Sequence, residues 1–312
     1  MVEDLLKSER RYGFTIIEMM TVMLIIGLII SVLVPGINLA KKYAKEVKQQ
    51  THIFSIKSAL DMFYNDNEDY PPSDLTGTAP DQTCGAQKLA EALVGCDLMG
   101  YDPVSNFDLL TTDGNPKAYA IAGVLGATQQ DEDKSLARRM GPYMQVDERT
   151  GAVDLGVLFG TGNTGDLYPG GDPCNKEFGP VLCDTYGKKA VLMGTKSVPV
   201  GAPLLYYKAS RTSNTFNVTS PNGNIYNSED NQKLIDLGNI RLSQVQWGDD
   251  NHHFGSGYTE SGLSGMELFY NSITNPAIKV GARPYNPQTY ILISAGYDGI
   301  YGTKDDITNC GM

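Results

Sequence analysis

Residues 13–35 have the sequence GFTIIEMMTVMLIIGLIISVLVP. Between Phe14 and Val34 the chain is almost wholly apolar, and Glu18 is the one charged residue in that run. A helix of this length, rising about 1.5 Å per residue, reaches roughly 30 Å, which is enough to cross the hydrocarbon core of a bilayer. An ionisable side chain in such a span costs about 2.5–3.5 kcal/mol on insertion scales, so Glu18 is a candidate functional residue.

The block Gly13-Phe14-Thr15-Ile16-Ile17-Glu18 resembles the processing site of type IV pilins and type II secretion pseudopilins. The resemblance implies that a prepilin peptidase cuts after Gly13 and methylates the new N-terminal Phe14, so that residues 1–13 are a leader peptide. An ordinary secretory signal would have a shorter apolar core with a small-residue cleavage site after it, whereas this run ends in Val34-Pro35-Gly36. A plain single-span anchor is the alternative interpretation.

Glu18 has a physical reason to lie at this position. Once Phe14 is the N-terminus, its amine is one helical turn from the Glu18 carboxylate, and a pair about 4 Å apart gains about 4 kcal/mol at an effective dielectric of about 20. The unpaired N–H groups of the first helical turn also favour an anion there. In the family the pairing is between subunits and sets the stagger of the filament, which implies an assembly role for Phe14 and Glu18. The alternative is a merely tolerated carboxylate.

A second helical segment follows the membrane run. Its apolar side chains recur at helical spacing: Ile53, Ile56, Leu60 and Phe63. This pattern predicts an amphipathic stalk over residues 36–65 that packs one face on a globular head. Because Tyr70-Pro71-Pro72 cannot continue a helix, the sequence predicts one long helix from Phe14 to about Tyr64, of which residues 14–35 form the transmembrane and polymerisation half.

Residues 66–312 are expected to form the head, with a long insertion over about 75–285. Local patterns predict helices at Gln87–Val94 and Ala118–Leu125, and strands or strand-like runs at Val153–Phe159, Pro203–Ala209 and Thr215–Thr219. The segment Asp184-Thr185-Tyr186-Gly187, followed by Pro203-Leu204-Leu205-Tyr206-Tyr207, is similar to the start of the sheet in major pseudopilins. The resemblance implies an α+β, pilin-like fold, in which a long N-terminal helix precedes a C-terminal antiparallel β-sheet head.

The C-terminal region holds a second strong pattern. A predicted strand, Tyr290–Ser294, runs into a glycine-rich loop that contains Asp298, Asp305 and Asp306. Clustered carboxylates repel one another unless a cation neutralises them, and hard oxygen ligands suit Ca²⁺. The loop is similar to the calcium loop that closes the major pseudopilin head. Asp298 and Asp306 match its ligand positions, but another acidic position falls on Thr303, so Asp305 is the expected substitute. An acidic turn without an ion is the alternative.

Two other motif matches are weak. Residues 160–165 spell G-x-G-x-x-G after a strand-like run, but a loop follows where a dinucleotide site needs a helix. The segment Asp249-Asp250-Asn251-His252-His253 contains metal-ligating residue types, but an exposed polar loop is the favoured interpretation. No serine or cysteine stands in a nucleophile context with a partnered base, so the sequence does not predict an enzyme.

Composition adds limits on compartment and partners. The 312 residues carry a formal net charge of -11, which disfavours a nucleic-acid-binding surface. The five cysteines all follow the membrane run: Cys84, Cys96, Cys174, Cys183 and Cys310. The first two, and likewise the next two, are close enough in sequence to close short disulfide loops in an oxidising compartment, although connectivity cannot be derived from sequence. No Cys-x-x-Cys occurs, so a cysteine zinc site is disfavoured.

The resemblance implies a structural subunit of a type II secretion pseudopilus, stored in membrane lipid before assembly. Expected partners are further copies of itself in a helical homopolymer, minor pseudopilins, the prepilin peptidase, and an inner-membrane assembly platform with its ATPase. The expected location is the inner membrane, crossed once, with the head in the periplasm and the filament in the periplasm or at the cell surface. Alternatives are a type IV pilus pilin, a minor pseudopilin, and a membrane-anchored periplasmic binding protein or hydrolase.

Orientation is the one expectation that charge counting opposes. Lys41, Lys42, Lys45 and Lys48 lie just beyond the apolar run, and positive residues normally stay on the cytoplasmic side. The resemblance requires the cleavage motif, and so residues 1–13, to face the cytoplasm instead.

Overall fold

The computed structural model describes residues 13–79, 81–107, 118–120, 122, 127–146, 151–160, 162–170, 179–193, 195–240 and 252–310. The chain divides into two compact units, Met1–Ala44 and Lys45–Met312. The first helix, α1 (Ile16–Asn67), is 52 residues long and contributes to both units. All other helices and strands of the described residues belong to the second unit.

The second unit combines short helices with small antiparallel sheets. Its helices are α2 (Gly85–Val94), α3 (Gln129–Arg138), α4 (Leu155–Phe159), α5 (Gln232–Ile235) and α6 (Gly265–Ile273), with 3-10 turns at Pro103–Ser105 and Ser228–Asp230. Its strands are β1 (Ala152–Asp154), β2 (Pro180–Leu182), β3 (Lys189–Met193), β4 (Lys196–Val200), β5 (Leu205–Lys208), β6 (Thr259–Glu260), β7 (Leu263–Ser264), β8 (Tyr290–Ser294) and β9 (Ile307–Thr308). Strands β1–β2, β3–β4 and β6–β7 form two-stranded sheets, and β5-β8-β9 forms a three-stranded sheet.

The long helix predicted from Phe14 to about Tyr64 is confirmed, with small shifts at both ends. Pro35 lies inside the helix, and the chain leaves it before Tyr70-Pro71-Pro72. Residues 13–44 are exposed throughout, including nearly every large apolar side chain of the predicted span. Among the described residues, α1 is one helix long and apolar enough to cross a membrane, and its apolar window is not buried at all. A continuous apolar surface of this size requires lipid or another protein to cover it.

The three-stranded sheet is the centre of the second unit, and β8 is its middle strand. Tyr206 of β5 pairs with Leu292 of β8 in antiparallel register, and Ser294 pairs with Ile307 of β9. All five residues of β8 are buried. Predicted strands at 203–209 and 290–294 are therefore confirmed, and the α+β class with a C-terminal antiparallel sheet is confirmed as well.

One face of this sheet packs on α1 and α2. Tyr206 and Leu292 belong to a core cluster that also contains apolar side chains of the C-terminal part of α1 and of α2: Ile53, Ile56, Leu60, Phe63, Leu89 and Leu93. The four predicted stripe residues of α1 are at most 2% exposed. The amphipathic stripe read from the sequence is therefore the face that contacts the head.

The opposite face of the sheet is covered by the insertion. Tyr207 and Ile291 belong to a second core cluster, which also takes apolar residues from α4, α5 and α6. The ring centroids of Tyr207 and Phe269 are 4.7 Å apart, which joins β5 to α6. Antiparallel sheets usually keep one face in water, and a strand buried on both faces is apolar throughout. This burial explains why Tyr290–Ser294 has no polar alternation.

The local predictions in the insertion have different outcomes. The helix at Gln87–Val94 is confirmed as α2. The strand-like run Val153–Phe159 is wrong beyond Asp154, where the chain turns into α4 and stops at Gly160, whose φ is +91°. The helix at Ala118–Leu125 lies mostly outside the described residues, and its described start is a turn rather than a helix.

The strand predicted at Thr215–Thr219 is also wrong. Thr215 makes a single parallel bridge to Asn224, and the following residues form a turn. The side-chain amide of Asn224 donates to the carbonyls of Asn217 and Ser220, and its oxygen accepts from the Asn217 N–H. The asparagine side chain thus forms hydrogen bonds with backbone groups that would otherwise pair with a neighbouring strand.

A disulfide between Cys84 and Cys96, which their spacing in the sequence allowed, does not form in the structure. Cys84 is the N-cap of α2 and Cys96 follows its end, so the ten-residue helix separates the two thiols. A helix of that length spans about 15 Å, whereas bridged cysteines need Cα atoms within about 7 Å. The described cysteines, Cys84, Cys96, Cys183 and Cys310, are free thiols, and Cys174 lies outside the described residues.

A buried polar network joins α2 to the segment before α3. The Oε1 atom of Glu91 accepts hydrogen bonds from the Ser105 hydroxyl at 2.5 Å and the Tyr119 hydroxyl at 3.1 Å. Asp102 accepts from the Ser135 hydroxyl at 2.8 Å and pairs with Arg138 at 3.0 Å. Burial is the main cause that raises the pKa of Glu91 to about 7, against the opposing effect of the two hydroxyl donors.

This pKa predicts a pH-dependent stability. Because the folded-state pKa of Glu91 lies above its ordinary value, the stabilisation by the protonated form is complete below about pH 4.5 and is lost as the pH rises through about 7. We expect the melting temperature of the wild-type head to fall between about pH 5 and pH 8, with a contribution on the order of 3 kcal/mol from this group. Glu91→Gln keeps an acceptor for both hydroxyls and should make that dependence less steep, since only the contribution of Glu91 is removed. An equally steep profile in the variant would contradict this origin.

Candidate assembly and calcium sites

The first candidate site is the N-terminal end of α1. Gly13 and Phe14 precede the helix and belong to no regular secondary structure, and the Phe14 side chain is 77% exposed. A Cβ atom at Gly13 would meet no other atom within 4 Å, so packing does not explain this glycine. The peptide bond between the two residues is therefore open to an enzyme.

Glu18 closes the first turn of α1 through a reciprocal pair of contacts with Thr15. The Glu18 Oε2 atom accepts from the Thr15 N–H and from the Thr15 hydroxyl, both at 2.8 Å. The Glu18 N–H in turn donates to the Thr15 hydroxyl at 3.3 Å. This is a capping box, in which two otherwise unpaired N–H groups of the helix start are satisfied.

The capping box was readable in the sequence but was not part of the prediction. Thr15-Ile16-Ile17-Glu18 has the T-x-x-E spacing of this motif immediately before an apolar run. The predicted attraction between Glu18 and a free Phe14 amine concerns a cleaved chain and stays a prediction. The structure adds a second role, because the same carboxylate orders the end of α1 from which that amine would project.

The second candidate site is the loop between β8 and β9. Each of its three aspartates accepts a backbone N–H within the loop: Asp298 from Ile300 at 2.7 Å, Asp305 from Asp298 at 2.9 Å, and Asp306 from Gly302 at 2.7 Å. Asp305 also accepts from the Thr303 hydroxyl at 2.6 Å. Thr303 stands at a position that is acidic in the family, and Asp305 was expected to replace the missing carboxylate. The two side chains are therefore in direct contact.

Three ionised carboxylates without a cation would be unfavourable in this loop. Burial, then the repulsion of Asp298 and Asp305, raises the pKa of Asp306 to about 8. Burial likewise raises the pKa of Asp298. At Asp305 burial is outweighed by hydrogen bonds from Thr303 and the Asp298 N–H, and the pKa is lowered. The loop thus holds one carboxylate that ionises readily beside two that resist ionisation.

The oxygen atoms of this loop partly meet the needs of Ca²⁺. The Oδ1 atom of Asp306 is buried and has no hydrogen-bond partner among the described residues. Such an oxygen fits a cation, because a buried acceptor without a partner is otherwise costly. Within the described ranges, however, no three His, Cys, Asp or Glu residues are grouped to hold a metal ion by themselves. A calcium ion here would therefore take part of its usual six to eight oxygens from backbone carbonyls.

His252 belongs to the insertion and forms a hydrogen bond with the same loop. Its Nδ1 atom accepts the Tyr301 N–H at 3.1 Å, and the His253 N–H donates to the Tyr301 carbonyl at 2.8 Å. His252 is 3% exposed, so the prediction of an exposed loop is wrong at this residue, while Asp249, Asp250 and Asn251 lie outside the described residues. Burial lowers the pKa of His252 to about 4, which keeps the ring neutral and able to accept.

The glycine-rich run at 160–165 has no dinucleotide-binding context. It follows helix α4 rather than a strand, and its described residues form turns that lead to Leu167, which bridges Gln82. The backbone therefore lacks the helix N-terminus on which a pyrophosphate would lie.

Comparisons with known proteins agree with the geometry of the N-terminal site. A family described as the prokaryotic N-terminal methylation motif matches residues 9–34. Type II secretion system core protein G of Escherichia coli (strain K12) is 30% identical over 134 residues, which are 40% of this chain and 90% of that protein. No solved structure matches the chain.

Other relatives match a shorter stretch. Type II secretion system core protein G of Vibrio cholerae serotype O1 is 38% identical over 68 residues, which are 22% of this chain and 47% of that protein. The protein of the same name from Pectobacterium carotovorum is 40% identical over 65 residues, or 21% of this chain and 42% of that protein. With the match that spans nearly the whole Escherichia coli protein, these findings show that the chain belongs to the family of type II secretion system core protein G, the pseudopilins.

Proposed function

We propose that this protein is a structural subunit of a type II secretion pseudopilus that polymerises through α1 and supports protein export. The family consists of structural subunits rather than enzymes, and the chain has its methylation motif. The single observation that carries the proposal is the apolar part of α1, which is exposed along its whole length and begins at the ordered Thr15–Glu18 turn. Lipid covers this surface before assembly, and the same surface of other subunits covers it afterwards.

The N-terminal site supplies the processing step. In this proposal a prepilin peptidase cleaves after Gly13 and methylates Phe14, and the Phe14 amine then meets the Glu18 carboxylate of a neighbouring subunit. Support comes from the exposure of Phe14 and from the open space around Gly13. The N-terminal half of α1 holds the subunit in the inner membrane, with the head on the periplasmic side.

The C-terminal loop supplies a structural calcium site in the same proposal. Asp298, Asp305 and Asp306 would contribute carboxylate oxygens, together with backbone carbonyls of the loop. Support comes from the buried Oδ1 atom of Asp306, which has no hydrogen-bond partner among the described residues, and from the burial and neighbouring carboxylates that raise the pKa of Asp306. The ion would neutralise carboxylates that otherwise destabilise the connection between β8 and β9.

The expected partners follow from these roles. The subunit would assemble with further copies of itself and with minor pseudopilins, on an inner-membrane platform driven by an assembly ATPase. The net charge of -11 gives no reason to add a nucleic acid to these partners.

Processing is tested by the mass of the membrane-extracted protein. Cells that contain a prepilin peptidase should yield a chain that lacks residues 1–13 and carries one methyl group on Phe14. Gly13→Leu should leave the full-length chain, because the peptidase would no longer find a residue without a side chain at the cut. Gly36→Ala, at the far end of the apolar run, is the matched control and should be processed normally. An intact N-terminus in the wild-type protein would refute the proposal.

A further inference from the structure

We propose that His252 and His253 of the insertion, here called the histidine pair, hold the loop between β8 and β9 in its ion-binding shape before Ca²⁺ binds. A loop that is already ordered loses less conformational freedom on binding, so the histidine pair raises the affinity of the loop for the ion. The inference rests on the calcium site of the proposed function and not on the role in a pseudopilus.

Tyr301 is the residue through which the histidine pair holds the loop. Its N–H donates to the His252 Nδ1 atom at 3.1 Å, and its carbonyl accepts the His253 N–H at 2.8 Å. The Tyr301 hydroxyl donates to the carbonyl of Pro203, and the tyrosine is 2% exposed. Three hydrogen bonds to residues outside the loop therefore fix one residue in its middle.

The peptide group after Tyr301 connects the histidine pair to a proposed calcium ligand. The Gly302 N–H donates to the Oδ2 atom of Asp306 at 2.7 Å, and the Oδ1 atom of the same carboxylate is the buried oxygen without a partner among the described residues. The carbonyl that His253 binds and the N–H that Asp306 binds belong to one planar peptide group. The hydrogen bond from His253 therefore orients the ligand carboxylate.

Close packing at Gly302 adds a steric constraint. Its φ is +93°, and a Cβ atom there would lie 2.5 Å from the Cβ atom of His253 and 3.0 Å from two ring atoms of Phe254. Both the backbone conformation and the lack of space require glycine. The loop backbone therefore lies directly against the histidine pair.

The histidine pair is itself held by the insertion. The His252 carbonyl accepts the Gly255 N–H at 2.8 Å, and the His252 ring forms a hydrogen bond with the Gly238 backbone. Phe254, which follows the pair, is 2% exposed and packs edge-on against Phe269 of α6, with 5.6 Å between the ring centroids. Because these contacts lie within the insertion, the position of the pair does not depend on an ion in the loop.

The test compares the full-length protein in detergent with its His252→Phe and His252→Asn variants. Phenylalanine fills the space of the ring but cannot accept the Tyr301 N–H, whereas asparagine has a side-chain oxygen as many bonds from Cβ as Nδ1 is. With chelator present, hydrogen exchange of the loop amides should be about tenfold faster in His252→Phe. The dissociation constant of this variant for Ca²⁺, measured by calorimetry, should be about tenfold higher than that of the wild type. His252→Asn should bring both values back towards the wild type.

Two further variants separate this role from a general loss of stability. Ser105→Ala removes a hydrogen bond to Glu91 in the buried network of α2 and should change neither loop exchange nor Ca²⁺ affinity. Gly302→Ala disturbs the contact with the histidine pair from the loop side, should also weaken Ca²⁺ binding, and replaces His252→Phe if that variant does not fold. Equal exchange and equal affinity in His252→Phe and the wild type would overturn the inference and leave the calcium site intact. Absence of Ca²⁺ binding to the wild type would refute the calcium site, and with it the effect of the histidine pair on affinity.

Discussion

Replacing Glu18 with glutamine is expected to leave cleavage after Gly13 intact and to abolish filament assembly. Glutamine still accepts the hydrogen bonds from Thr15, so the helix start should stay ordered. It cannot form the ion pair with a Phe14 amine, whose attraction we estimate at about 4 kcal/mol, a factor of roughly a thousand in each subunit contact. The measurement is the fraction of subunits recovered in sheared fibres, with processing followed by mass spectrometry.

Thr15→Val is the matched control for the capping box. It removes the hydroxyl contacts but leaves the carboxylate and its charge, and loss of a cap costs about 0.5–2 kcal/mol. We therefore expect fewer filaments than in the wild type, but not their absence. If Glu18→Gln assembled normally while Thr15→Val did not, the carboxylate would act through the helix cap and not through the amine.

Removing Ca²⁺ is expected to lower the melting temperature of the full-length protein in detergent by roughly 5–10 °C. The estimate assumes saturation near 100 times the dissociation constant, which is worth about 2.7 kcal/mol, and about 2–4 °C per kcal/mol for a head of this size. Asp306→Asn should abolish the response to a chelator. In the presence of chelator the variant should melt no lower than the wild type, because the amide removes a buried, repelled carboxylate.

The pH dependence of this effect has a definite sign. The folded-state pKa of Asp306 without an ion is raised to about 8, so the ion-free loop loses stability as the pH rises from about 4 through about 8. Ca²⁺ binds the ionised form, and the chelator effect should therefore grow over the same range. Asp133→Asn, an exposed aspartate of α3, is the control and should keep the full response. If the chelator did not change the melting temperature of the wild-type protein at any pH, the loop would be an acidic turn that binds no ion.

The sequence was sufficient for elements that are defined by local patterns. The 52-residue helix and α2 follow from apolar periodicity and from Tyr70-Pro71-Pro72, and the central strand follows from a short continuous apolar run before a glycine-rich loop. The fully apolar strand Tyr290–Ser294 also contained a clue to the architecture, because an antiparallel strand without polar alternation must be covered on both sides. The cover itself comes from distant residues of the insertion, and no local pattern indicates which ones.

Other features depended on contacts that a sequence does not display. His252 looked like part of a polar loop, but its ring accepts an N–H from Tyr301, 49 residues away. Thr215–Thr219 had strand-forming residues, but asparagine side chains bind its backbone groups. The Cys84–Cys96 spacing suggested a short bridged loop, which the intervening helix excludes. In each case a tertiary contact or an intervening element outweighed local propensity.

Polymerisation through α1 is tested by the composition of fibres made by an assembly system that is supplied with this chain. We expect fibres whose subunits begin at methylated Phe14, and in which a crosslink joins the Phe14 region of one subunit to the Glu18 region of the next. A processed chain that stays in the membrane as separate subunits, with a complete assembly system present, would contradict this expectation.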